Sequence, residues 1–339
     1  MPGVMQSSAP ALRTVQDRKL DDFVVALRWL SSKQLVAGVA GGAVTLMSKD
    51  LEVLAQFCSH NGLNCLCSNA SGDRLATGGQ DGKARIWDAA TLRCIEEISV
   101  GVQWVECVAY SPTRGYLLVA GGRKLLLHSA SDRTLIAYPE QPSTVSDVQW
   151  QPDSLFFTVA AYGKLSTFSA SSTKAVKEFA WKGSILKVAW SPDANYVVTG
   201  NQDATVHFWY RKTGRDLEMS GYPAKIRELS WDSGSTLLAT GGSPVVTVWK
   251  CDGKGPSGTR PIELKGHHGF VSALAFQRRG RLLVSGGRDG RVCLWEPKRS
   301  ERMLSGIELA SPVTQIEWDP TDLFFAVGTE DGTVALFEP

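Results

Sequence analysis

Nowhere does the chain carry about 18 uninterrupted apolar residues, the length a membrane-crossing helix requires, and its first twenty residues lack the apolar core of a secretory leader. The expectation is a protein without a membrane segment, working in the cytoplasm. Charge of one sign is missing as well: 36 Lys and Arg stand against 34 Asp and Glu, which removes the basic excess of a nucleic-acid binder. Cysteine is sparse and odd in number, seven scattered over 339 residues, so no disulfide framework is implied and reduced thiols are expected. Linkers are lacking too. The longest polar, Gly/Pro-rich piece, CDGKGPSGTRP at 251–261, is the length of a surface loop, so one domain is expected over 1–339, with residues 1–10 as a flexible start.

Catalytic signatures are equally absent. There is no phosphate-cradling Gly-Lys-Ser/Thr loop, no nucleophile elbow and no His-Glu-x-x-His, and the five histidines (60, 128, 207, 267, 268) have no recurring nucleophile nearby. A G-x-G-x-x-G does occur at Gly253, Gly255 and Gly258, but Pro256 interrupts it and a strand-like TRPIELKG follows where a helix N-terminus would have to face a pyrophosphate. No enzyme, no cofactor and no metal is expected.

What the chain does have is a period. Short apolar segments ending in a sixth residue that is usually aromatic recur as VVALRW, LNCLCS, VECVAY, VSDVQW, ILKVAW, IRELSW, VSALAF and VTQIEW. Their sixth residues fall at 29, 68, 110, 150, 190, 231, 276 and 318, intervals of 39 to 45. After each comes a turn signal, a β-rich run ending in small residues, a second turn that is often Asp-Gly, and an alternating strand such as KARIWD or RVCLWE. A fourth, shorter strand (LEVLAQF, LRCIEEI and so on) closes every unit but the last, which ends with the chain. The segment ALRTVQ at 11–16 is free to complete it.

Four-stranded units at this period resemble the WD40 repeat. Thr77, Asp81 and Trp87 stand at spacings of four and six, repeated by Thr199, Asp203, Trp209 and by Ser285, Asp289, Trp295. In that family such residues join a histidine from the preceding loop in a structural hydrogen-bonded tetrad, a place that His60 and His267 would fill. The resemblance implies a closed, all-β propeller of eight blades, with seven the alternative, and the last blade completed by the N-terminal strand. Units one, three and four (GVAGGAVTLMS, GGRKLLLHS, AAYGKLSTFS) lack the turn Asp and the Trp and depart from the pattern.

The repeat also reinterprets CSHNGLNCLC, 58–67, whose Cys58, His60, Cys65 and Cys67 look like a metal cluster. Cys58 ends an outermost strand while Cys65 and Cys67 lie on an innermost one, about 14 Å away at strand spacing, whereas thiolates sharing a zinc sit about 4 Å apart. Cys65, Cys67 and Cys107 are expected to fill space between blades, with a metal or redox role as the alternative.

What the resemblance implies for function is a rigid, non-catalytic scaffold that binds a protein or peptide on the face around the channel mouth. Phe23, Trp104, Glu106, Tyr222, Lys225, Arg227 and Phe270 occupy that face. On the opposite face, blades five to seven carry a basic rim, Arg211, Lys212, Arg215, Lys254, Arg260, Arg278, Arg279, Arg281, Lys298 and Arg299, that could take an acidic partner. Asp147, Lys187 and Glu228 share the third position of successive first strands and are expected to neutralise one another along the channel. A closed ring leaves few free edges, so a monomer is expected.

Overall fold

The computed structural model describes residues 11–102, 104–152, 155–253 and 255–339. The expectation of a flexible 1–10 and the rim residue Lys254 lie outside them. Among the described residues, thirty-two strands form eight four-stranded antiparallel sheets. Each sheet keeps sequence order, first strand to fourth, at 24–58, 63–99, 107–137, 147–180, 185–219, 229–265 and 271–308. The eighth takes its fourth strand from the other end of the chain: Arg13–Lys19 pairs antiparallel with Thr333–Glu338. The first strands touch one another in succession, and Val313–Trp318 returns to Val24–Ser31, so the ring is closed and first strands line its hub.

The closing strand runs three residues further along than 11–16. Its own side chains are almost all exposed, so alternation carries no signal there; Leu12 and Leu20, which bracket it, are the residues that bury.

Middle strands are buried on both faces, as expected where sheets pack on neighbours at either side, while fourth strands are mostly exposed. Tight turns follow the Asp-Gly signal: Gly82, Gly290 and Gly332, after Asp81, Asp289 and Asp331, all take positive φ, where a side chain would be strained. Three of the sixth-position tryptophans are mortar between blades. Trp29, Trp150 and Trp318 each donate an indole N–H backward, to the carbonyls of Glu317, Ala109 and Ala275 at 2.9–3.1 Å.

A second set of seam bonds was not foreseen. In five blades a bulge falls at the second residue of the first strand. Second-position polar side chains bond forward to the first-position carbonyl of the next blade: Asn64 to Val105 (3.2 Å), Ser146 to Ile185 (2.6 Å), Ser272 to Val313 (2.5 Å) and Thr314 to Val24 (2.7 Å).

Candidate partner-binding face

The face that carries the loops before each first strand is shaped by what stiffens it. In blade two, Trp87 Nε1 donates to Thr77 Oγ1 (2.9 Å), the Thr77 hydroxyl reaches His60 Nε2 (2.8 Å), and His60 Nδ1 lies 2.9 Å from Asp81 Oδ1. With the hydroxyl accepting from the indole, it donates to Nε2 and leaves Nδ1–H for the carboxylate. Blade seven repeats this with Trp295, Ser285, His267 and Asp289. Burial holds both imidazoles below their usual pKa, so they stay neutral.

Blade five does not join its triplet. Trp181 stands in its preceding loop where a histidine would have to be, with its ring 3.6 Å from that of His207. Among the described residues the Thr199 hydroxyl has no hydrogen-bond partner, and Asp203 accepts from Thr205 instead (2.7 Å). Thr199, Asp203 and Trp209 are thus not a tetrad, because the residue that would connect them is missing.

Blade six supplies a substitute that sequence reading missed. The Tyr222 hydroxyl accepts from Trp249 Nε1 and bonds Thr240 Oγ1, both at 2.8 Å. Tyr222, expected at the mouth as a binding residue, is half-buried in its own blade, where its hydroxyl does the histidine's work. Glu106 is also committed, accepting from the Gly122 N–H at 2.9 Å.

The remaining mouth residues stand differently. Trp104 is 54% exposed and Phe270 41%, Lys225 and Arg227 are exposed, and Phe23 is half-buried. Between blades six and seven lies a hollow of about 220 Å³ lined by Lys225, Arg227, Glu228, Phe270 and Arg288. Arg288, on the turn of blade seven, was not singled out from sequence because turn charges are ordinary. Glu228 forms no ion pair among the described residues; burial raises its carboxyl pKa, against the pull of Arg227 and Arg288. Gly241 lets Glu228 lie close, since a Cβ there would come within 2.9 Å of Glu228 Cβ. The channel triplet is therefore only a pair: Lys187 Nζ lies 3.1 Å from Asp147 Oδ1, which raises the lysine's pKa, while Glu228 belongs to the hollow.

On the opposite face the basic rim is partly neutralised. Arg278 pairs with Glu317 (2.9 Å), Lys298 with Asp232 (2.8 Å), and Arg281 and Arg299 both with Glu296 (3.5 and 3.8 Å). Arg211, Lys212, Arg215, Arg260 and Arg279 complete the described part of the rim. Cys58 and the Cys65–Cys67 pair fall on the fourth strand of one blade and the first of the next. Among the described residues no three His, Cys, Asp or Glu groups gather as a metal would require. Burial pushes the Cys65 and Cys107 thiols well up and Cys67 to about 12, leaving them protonated at neutral pH. A Cβ on Gly78 would meet Val105 Cγ1 of the next blade at 2.6 Å, a measure of how closely the blades pack there.

Comparison with known proteins adds to the geometry. Residues 51–88, 173–210, 258–296 and 302–338 match the family model described as WD domain, G-beta repeat. The chain is 27% identical over 304 residues to the B-type cell cycle switch protein ccs52A of Medicago truncatula, covering 85% of this chain and 61% of that protein. It is 23% identical over 289 residues to the APC/C activator protein CDH1 of Saccharomyces cerevisiae (81% and 50%), and 23% identical to the mouse telomerase protein component 1, of which it spans 13%. It thus spans about half to three-fifths of the first two. Among solved structures, the computationally designed Ika8 protein superposes with a TM-score of 0.81 at 20% identity, over 95% of this chain and 98% of that one, a likeness of fold alone.

Proposed function

From a chain that is a WD40-repeat β-propeller of eight blades, we propose a non-catalytic scaffold that holds a protein or peptide partner on the face around the channel mouth. The observation that carries the reading is the exposure of Trp104 and Phe270 on that face, with Phe270 set in a hollow rimmed by Lys225, Arg227 and Arg288. Trp and Arg are residue types that dominate binding hot spots, and an aromatic on a rigid blade loses little entropy when covered. The cationic rim favours a partner whose contacting segment is acidic or ends in a carboxylate. The name of one relative, APC/C activator protein, describes a protein acting on another assembly, which is in keeping with a scaffold.

The test is a double substitution, Trp104→Ala with Phe270→Ala, in chain used to recover crosslinked partners from native cells. Partners held by the wild type should be lost while the melting curve stays within about 2 °C, since both side chains are exposed. A separate Arg227→Glu with Lys225→Glu should weaken the same partners. Recovery unchanged in both variants would sink the assignment to this face.

A further inference from the structure

One blade seam is built unlike its neighbours. The residue of each third strand that pairs with the first fully buried residue of the second strand is Met47, Trp87, His128, Phe168, Trp209, Trp249, Trp295 and Phe337 in blade order. Seven blades use a methionine or an aromatic carbocycle or indole; blade three uses histidine. His128 is 2% exposed; its Nε2 lies 3.0 Å from Glu96 Oε2 of blade two, and among the described residues its Nδ1 has no hydrogen-bond partner.

A second departure falls at the same seam. The turn after the third strand places one residue in left-handed conformation: Leu51 in blade one (φ 57°), Leu92 in blade two (φ 55°) and Arg133 in blade three (φ 55°). Leu51 is fully buried against blade eight, and Leu92 packs among residues of blades one and two, so each leucine plugs the seam with the preceding blade. Arg133 is exposed and plugs nothing. The apolar cluster at this seam, which includes Ile86, Ile98, Val105 and Leu117 with the half-buried Tyr110 against it, has no tryptophan, phenylalanine or methionine among the described residues.

Removal of both plugs leaves a cleft of about 440 Å³ between blades two and three, within the range of small-molecule sites. Ile86 and Ile95 give it an apolar wall, His128 and Glu96 line it, and Arg114 and Arg133 stand at it. The two arginine loops are tied by the Ala130 N–H donating to Gly115 O at 2.9 Å, and neither guanidinium is ion-paired among the described residues. Guanidinium groups that lack an acid of their own suit a bidentate oxyanion, and a buried imidazole whose Nδ1 is unpartnered suits a polar group on the ligand's body.

We infer that this seam binds a small organic anion, one carboxylate or phosphate head carried on an apolar body, independently of the partner face. The head sits between Arg114 and Arg133 and the body against Ile86 and Ile95. The probes are phenylacetate and phenyl phosphate, with phenol as the uncharged body and inorganic phosphate as the bare head, titrated into the full chain by ligand-observed NMR.

Saturable binding of phenylacetate or phenyl phosphate below about 1 mM, with phenol at least tenfold weaker, is expected. Arg114→Gln and Arg133→Gln should each weaken it several-fold. His128→Trp with Arg133→Leu, which installs the pair that blade two carries as Trp87 and Leu92, should abolish it and raise the melting temperature. Should that double variant fail to fold, the arginine variants decide alone. No saturation by about 10 mM of either charged probe, phenol binding as well as they do, or affinity untouched by both arginine changes overturns the site. A preference between the two charged probes identifies the head.

Discussion

At the residue scale, the same side chain in the same repeat position does opposite things. Thr77 and Thr199 are both fully buried, yet Thr77 bridges His60 and Trp87 while the Thr199 hydroxyl has no partner among the described residues. Thr77→Val strands two buried polar groups and should cost about 2–3 kcal/mol, whereas Thr199→Val removes an unpaired hydroxyl and should be neutral or stabilising. Urea unfolding of the two variants checks this, and equal losses would contradict the difference in bonding. Protonation follows the same geometry. Burial lowers the pKa of His60 and His267 below 6.5 in the fold, so the unfolded chain binds more protons near and below that value. The stability they contribute is complete above about pH 6.5 and is lost as pH falls through the lower folded value. Burial pushes Asp81 upward, but hydrogen bonds from Arg85 and His60 outweigh it and leave the carboxylate low, which extends the loss to more acid pH. The urea midpoint should be flat from pH 7 to 8 and lower at pH 5; a midpoint at pH 5 equal to that at pH 7 would show that these imidazoles do not govern it.

At the scale of the element, the strands were legible because each obeys a local rule: alternation, Asp-Gly turns, and small residues where blades approach closely. The bonds between blades were not. Nothing in VTQIEW says that Thr314 hydrogen-bonds Val24, 290 residues away, because that pairing exists only once the ring has closed. Ser272→Ala and Thr314→Val should each cost about 1 kcal/mol, with Thr314→Val loosening the seam that joins the two ends of the ring. Hydrogen exchange at Val24–Ser31 is the sensitive readout for Thr314→Val; protection there equal to wild type would mean that this bond does not hold the seam. The closing strand illustrates the same limit, since its exposed residues left only the flanking Leu12 and Leu20 to mark its place.

At the scale of the whole molecule, the last blade is shared by the two ends of the chain. Deleting residues 1–20 removes a strand, uncovers the edge Thr333–Glu338 and exposes the pockets of Leu12 and Leu20. At about 1.5–3 kcal/mol per buried leucine and with a lost ladder besides, the truncated chain should melt at least about 10 °C lower. A fall of only a degree or two would mean that the ring does not depend on this closure. The mouth was legible as a place, since loops before first strands must gather there once the repeat is recognised. Its membership was decided by packing: Tyr222 and Glu106 turned inward to bonds of their own, and Arg288 entered from a turn that sequence alone gave no reason to choose. By itself the sequence determined the period, because it follows from residue types at fixed short spacings, and the family resemblance that the period carries implied the eight blades, the use of the N-terminal strand and the histidine tetrads of blades two and seven. Only the tertiary structure decided what happens between blades, the forward bonds of Asn64, Ser146, Ser272 and Thr314, the hollow at Phe270 and the open seam at His128. Those depend on which side chains meet across residues about 40 apart, where reach and volume decide and spacing along the chain is silent.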